Sequence, residues 1–192
     1  MPVTRSRRRA WFPAMPRMRR HPSGERGRIP GLRAVPLRML GTPRIVDSPE
    51  QLVAKIALVV PRDQMPVVMG PGISELFTVV SAQGIAVTGP WFAHHYEITD
   101  TTFDFAICVP VASPVTASGR VIPDVREAAR VARAVLSGPY EGLGDGWGEL
   151  MTWIAAEGLQ PRTDLWEIYV TGPESGDDSS QWRTELNRPL AD

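Results

Sequence analysis

The feature that most constrains this chain is an internal repeat. Shifted by 74 residues, the sequence lays Gly70, Gly72, Glu75, Leu76, Thr78, Ala82 and Gly84 over Gly144, Gly146, Glu149, Leu150, Thr152, Ala156 and Gly158. That is seven identities in the 15 positions from 70 to 84, where ordinary residue frequencies give about one. Both copies run from this segment into a strand and close on an apolar hairpin partner at Pro110 or Pro189. Two copies of strand–helix–strand–strand, each with one apolar sheet face, predict an α+β domain. Its antiparallel sheet carries both helices on one side, with a ligand cleft between the copies. Repeat 1 spans about 43–111 and repeat 2 about 124–190.

Taken in order, Arg44 to Pro61 contains the β-branched run Lys55 to Val60 and reads as one long first strand, with helix left open as the alternative for Pro49 to Leu58. Gly70-Pro71-Gly72 reads as a breaker, followed by a helix from Ile73 to Gln83 with Gly84 as its cap. Strands are expected over 91–99 and 102–111, with a Pro/Ser/Gly-rich linker over 112–124. The segment 126–136 mixes helical composition with alternation, and the repeat favours strand. A helix over 147–157, a strand over 165–171 and a last strand over 181–190 complete the second copy. The glycines of Gly142-Leu143-Gly144-Asp145-Gly146 have neither a phosphate-loop lysine nor dinucleotide-binding spacing, and read as the turn into that second helix.

Charge divides the chain. Residues 1–38 hold 11 arginines and one acid, a balance of 11 − 1 = +10, whereas 39–192 hold 10 basic and 20 acidic residues, a balance of 10 − 20 = −10. With six prolines and no periodicity, 1–38 is expected to be a disordered tail. It is either a segment without function upstream of Met39 or an arm for nucleic acid or an acidic partner. No apolar core follows its arginines, so it is not a secretory signal. No run of 18 apolar residues exists, so no membrane span is expected, and the location is expected to be cytoplasmic. Cys108 is the lone cysteine and sits in an apolar run. It has no disulfide partner, and with His94 and His95 pointing to opposite strand faces no metal site is expected.

The repeat also shows where symmetry fails. Trp91-Phe92-Ala93-His94-His95 aligns with Leu165-Trp166-Glu167-Ile168-Tyr169, so a carboxylate in one copy replaces the alanine of the other. Inside an apolar strand that carboxylate is either on a solvated edge or buried near aromatic rings, where it suits a cationic or hydrogen-bond-donating ligand.

These residues carry a family resemblance. Gly138-Pro139-Tyr140-Glu141-Gly142-Leu143, the helix from Trp147 to Gly158, Trp166-Glu167-Ile168-Tyr169-Val170, Trp182-Arg183-Thr184-Glu185-Leu186 and Pro189-Leu190 together resemble the GyrI-like small-molecule-binding domain. That domain is also the effector-binding half of many AraC- and MerR-type transcription regulators. The resemblance covers roughly 43–190. It implies binding of amphipathic, often cationic, small molecules in the central cleft, without a cofactor. The family's pocket glutamate maps onto Glu167. Tyr140 and Tyr169 match aromatic positions near the cleft, Trp147 and Trp182 are weaker matches, and Glu185 matches a further acid. No helix-turn-helix segment precedes the domain in this sequence, so a complete regulator is not expected. A regulator or gyrase partner remains among the expectations. The alternative activity that the resemblance implies is hydrolysis of strained cyclopropane-bearing natural products, with Glu167 as the catalytic carboxylate.

Overall fold

The computed structural model describes residues 39–191; the basic segment 1–38 and the expectations placed on it lie outside the described residues. The repeat appears as two matching units. The first contains β1 (Arg44–Ser48), β2 (Gln51–Pro61), α1 (Met65–Ala82), β3 (Phe92–Ile98) and β4 (Thr102–Pro110). The second contains β5 (Ile122–Arg126), β6 (Ala129–Ser137), α2 (Leu143–Ala156), β7 (Leu165–Thr171) and β8 (Arg183–Pro189). All eight strands form one antiparallel sheet in the order β1-β6-β8-β7-β3-β4-β2-β5. Read from either edge, this order places corresponding strands at corresponding positions, so the pseudo-twofold axis runs between β7 and β3. Ala93 and Glu167, the positions at which the repeat loses its symmetry, are cross-strand partners there.

The identities of the repeat follow from packing. The buried residues of α1 are Gly72, Leu76 and Val80, and those of α2 are Gly146, Leu150 and Ile154, each pair separated by the same shift. The spacing of four places each trio on one helix face, against the sheet. A Cβ on Gly72 would lie 2.5 Å from Cδ1 of Ile107, and one on Gly146 would lie 3.0 Å from Cδ1 of Leu136, so glycine sets the distance between helix and sheet in both copies. Each helix ends at a glycine with positive φ, 65° at Gly84 and 68° at Gly158, the geometry expected of a cap. α1 packs on Phe105, Ile107 and Val109, while α2 packs on Leu136 and Leu186.

Several boundaries differ from the sequence reading. The long first strand is two strands, because Pro49 cannot continue the ladder. β1 pairs with β6 of the second unit, and β2 pairs with β4 and β5. Correspondingly, β5 occupies the end of the expected linker, and β6 starts only at Ala129. Each unit is therefore strand–strand–helix–strand–strand, with its first strand given to the other unit. Gly70-Pro71-Gly72 does not break α1, which starts at Met65. Pro71 removes one backbone donor, but all the buried anchors of the helix lie after it. α2 likewise starts at Leu143, within the glycine-rich stretch, after a single 3-10 turn over Tyr140–Gly142. The segment Arg62–Ala82 is long and apolar enough, by length and composition alone, to cross a bilayer. Arg62, Asp63 and Glu75 interrupt it, so it is not one unbroken apolar run.

The two-residue links Pro49-Glu50 and Glu127-Ala128 each join a strand at one edge to a strand beside the opposite edge. They can do so because the sheet curls until its edges meet. Arg126 Nη1 donates to Ser48 Oγ (2.9 Å) and Nη2 to Pro49 O (2.9 Å), closing the seam. The helices cover the outer face of the curl. Val53, Phe92, Ala106, Cys108, Val131 and Trp166 fill the inner, helix-free face.

Candidate functional site

Alternation along β7 sends Glu167 and Tyr169 to the helix side and Trp166 to the concave side. Glu167 is 7% exposed. Its Oε1 accepts a hydrogen bond from Trp147 Nε1 (2.7 Å), delivered by the first turns of α2, and its Oε2 accepts one from Tyr169 Oη (2.7 Å). Trp91 stacks on the Tyr169 ring at 4.0 Å between centroids, and Tyr140 meets that ring edge-on at 5.4 Å. Tyr140 in turn lies 5.0 Å from Trp182. The result is a buried carboxylate within a cluster of half-buried and buried rings on the pseudo-twofold axis.

The structure thus gathers Glu167, Tyr169, Trp147 and Tyr140 at one place. Trp182 stands one ring further out and donates its indole N–H to Gly176 O (3.1 Å) rather than to the carboxylate. Glu185 is not at this site. It sits opposite Ile168 on the other sheet face, where it pairs with Arg133 Nε (3.2 Å).

Two members of the site were missed in the sequence. His95 is the repeat counterpart of Tyr169, and its Nε2 lies 3.9 Å from Glu167 Oε2. Burial lowers the His95 pKa below its ordinary value, outweighing the attraction of Glu167. At neutral pH its imidazole is therefore neutral and does not serve as counter-ion to the carboxylate. Trp91 was read only as a strand residue. The alignment across the repeat held the signal for both, since it set the five residues from Trp91 to His95 against those from Leu165 to Tyr169. Burial also pushes the Tyr169 phenol well above its ordinary range, with the adjacent Glu167 adding to the shift, and Tyr140 up to about 12. Both phenols therefore remain donors at physiological pH.

His94 and His95 do point to opposite faces, His94 Nε2 donating to Asp164 Oδ2 (3.0 Å) on the concave side. Among the described residues no group of three His, Cys, Asp or Glu side chains is placed to hold a metal ion. Burial pushes the Cys108 thiol up to about 12, which leaves it inert at neutral pH.

The curled eight-stranded antiparallel sheet with two helices on its outer face places the chain in a class of small-molecule-binding domains. The sequence model of the GyrI-like small molecule binding domain matches residues 41–191, and the chain belongs to that family. No curated protein sequence matches it. Among solved structures it is similar to the C-terminal domain of EcmrR, at TM-score 0.70 and 24% identity, covering 78% of this chain and 97% of that one. The chain spans 57% of the EcmrR chain seen in its complex with DNA. It also resembles a hydrolase from Listeria innocua (TM-score 0.59, 14% identity, 78% and 91% covered). A third neighbour is SAV2435 bound to tetraphenylphosphonium (TM-score 0.58, 10% identity, 79% and 94% covered). At these identities the likenesses show the fold.

Proposed function

We propose that this domain binds an amphipathic, cationic, aromatic-bodied small molecule on the helix side of the sheet, with Glu167 as its anionic anchor, for sensing or sequestration. One observation carries the reading. Glu167 is a buried carboxylate whose hydrogen-bond partners, Trp147 and Tyr169, are both neutral aromatic donors, and no Lys or Arg among the described residues pairs with it. A desolvated carboxylate of this kind attracts a cation strongly, and the surrounding rings add stacking and cation–π contact. The ligand enters by displacing the half-buried Trp147, whose N–H the cation replaces. The tetraphenylphosphonium held by SAV2435 is a ligand of this chemistry. Tyr140, Tyr169 and Trp91 supply ring faces, and Trp182 supports Tyr140 from behind.

Calorimetric titration of the full chain with tetraphenylphosphonium and with neutral triphenylphosphine oxide tests this. The cation binds, the neutral compound binds far more weakly, and Glu167→Gln weakens the cation about a hundredfold, or ~2.7 kcal/mol. Equal affinity of the parent and Glu167→Gln for the cation would sink the assignment.

A second reading, hydrolysis, has one geometric observation in its favour: neutral His95 stands within a water's reach of Glu167, a pair suited to activating water. Product analysis of cyclopropane-bearing compounds incubated with the parent and with Glu167→Gln decides it. Turnover that Glu167→Gln abolishes supports hydrolysis, and intact compounds leave binding alone.

A further inference from the structure

The concave face holds a second built feature, independent of Glu167. A cavity of about 390 Å³ opens there, with Arg126, Trp166, Phe92 and Tyr96 in its wall. Its volume suits a small organic ligand. Arg126 is 7% exposed and reaches from the edge strand β5 to within 4.8 Å of the Trp166 ring. Its guanidinium makes three hydrogen bonds, to Ser48 Oγ (2.9 Å), Pro49 O (2.9 Å) and Gln51 Oε1 (3.3 Å). All three acceptors are neutral, and no carboxylate among the described residues pairs with this arginine. Two of its five N–H groups are left over.

The neighbouring ions are already matched. Lys55 Nζ lies 2.5 Å from Asp124 Oδ2, and Arg162 Nε lies 3.2 Å from Asp164 Oδ1, with His94 on the other oxygen of Asp164. Lys55, Asp124, Arg162 and Asp164 all line the cavity, so their charges cancel in pairs. Arg126 is the buried charge without an ion pair: Glu185 attracts it only from a distance and is itself paired with Arg133, and a guanidinium cannot shed its proton to relieve the cost. Beside it the Trp166 indole N–H is buried without an acceptor.

We propose that this cavity is a second ligand site, which takes a small aromatic monocarboxylate. The carboxylate neutralises Arg126, and the ring packs on Trp166 and Phe92. A monoanion fits better than a phosphate. Arg126 is the one cation of the lining with no ion pair among the described residues, and Asp124, Asp164 and the exposed Glu127, which brings the lining's charge to zero, repel a second negative charge. The site is closed by the seam itself, because the side chain that receives the ligand also ties β5 to β1.

The test uses the full chain with 3-phenylpropionate and its uncharged amide, followed by NMR. The acid binds and shows ring-to-ring Overhauser contacts with Trp166 and Phe92, the amide binds at least tenfold more weakly, and Arg126→Gln reduces acid binding at least tenfold. Saturating tetraphenylphosphonium leaves the acid's affinity unchanged. The proposal is overturned by absence of acid binding at millimolar concentration, by equal binding of acid and amide, by contacts to Tyr169 and Trp147 instead, or by an Arg126→Gln variant that binds like the parent. Should Arg126→Gln fail to fold, the acid–amide pair and the contact map on the unaltered chain still decide the matter.

Discussion

The two faces of the sheet bury opposite charges on either side of β7, whose neighbouring residues Trp166 and Glu167 point to opposite faces. On the outer face Glu167 is held by Trp147 and Tyr169. On the inner face Arg126 covers Trp166 and is held by Ser48, Pro49 and Gln51. Both are 7% exposed, yet their supports differ. The carboxylate depends on side chains, one of them a half-buried tryptophan on a helix surface, and such a support can move aside. The guanidinium is tied partly to backbone where two edges meet, and that support moves only if the sheet opens. One face is built to give way to a ligand, the other to hold the curl while a cavity lies beside it.

The strongest way to break this comparison is to double the charge on the outer face. Ala93→Glu sets a second carboxylate opposite Glu167 at a position now 0% exposed. The cost is expected to be about 3 kcal/mol or more in urea unfolding at pH 7. Because the crowded pair binds a proton more readily in the folded state, part of this loss returns as the pH falls below neutral. An unaltered urea midpoint would mean that the axis is wetter than its burial indicates.

Arg126→Met comes next, with about 2 kcal/mol of stability lost as three hydrogen bonds disappear from the seam. A more stable variant would show that the buried charge costs more than the latch contributes, and the contrast between the faces would disappear. Glu167→Gln is the mirror experiment. Glutamine retains an oxygen for the Trp147 N–H, so stability changes by less than about 1 kcal/mol while cation affinity falls. A larger loss of stability would make Glu167 a structural residue first.

The smallest effect concerns His95. Its folded-state pKa lies below the ordinary 6.5, so the unfolded chain takes up a proton first as the pH falls. The stability it contributes is complete above pH 6.5 and declines as pH drops from there toward the depressed value. His95→Phe, which fits beside Phe103 and Phe105, should flatten the melting temperature between pH 7 and 5 relative to the parent. An identical slope in the variant would remove His95 from the account.

The sequence made the helix–sheet contacts readable because their glycines and leucines recur at one spacing, and a packing face is a local pattern. Glu167 stood out because Ala93 marked the same position without a charge. The exchange of β1 and β5 was not readable. Pairing partners about 67 to 89 residues apart leave no local trace, and Pro49 interrupts a stretch that otherwise looks like one strand. The start of α1 was hidden by Gly70-Pro71-Gly72, where glycine serves close packing rather than a turn. Arg126 was equally opaque, since in sequence it is one arginine among many and only the closed seam buries it.

The exchange of edge strands reaches beyond binding. Cut in the loop between β4 and β5, the chain would yield two fragments, each exposing a bare strand edge that only the other fragment covers. Neither fragment could finish its own sheet, so the two should assemble only in each other's presence, as a split reporter does. The same logic warns that at high concentration β1 of one molecule can find β6 of another, and the links at Pro49 and Glu127 are short enough to make that trade between molecules a route to chains of linked copies.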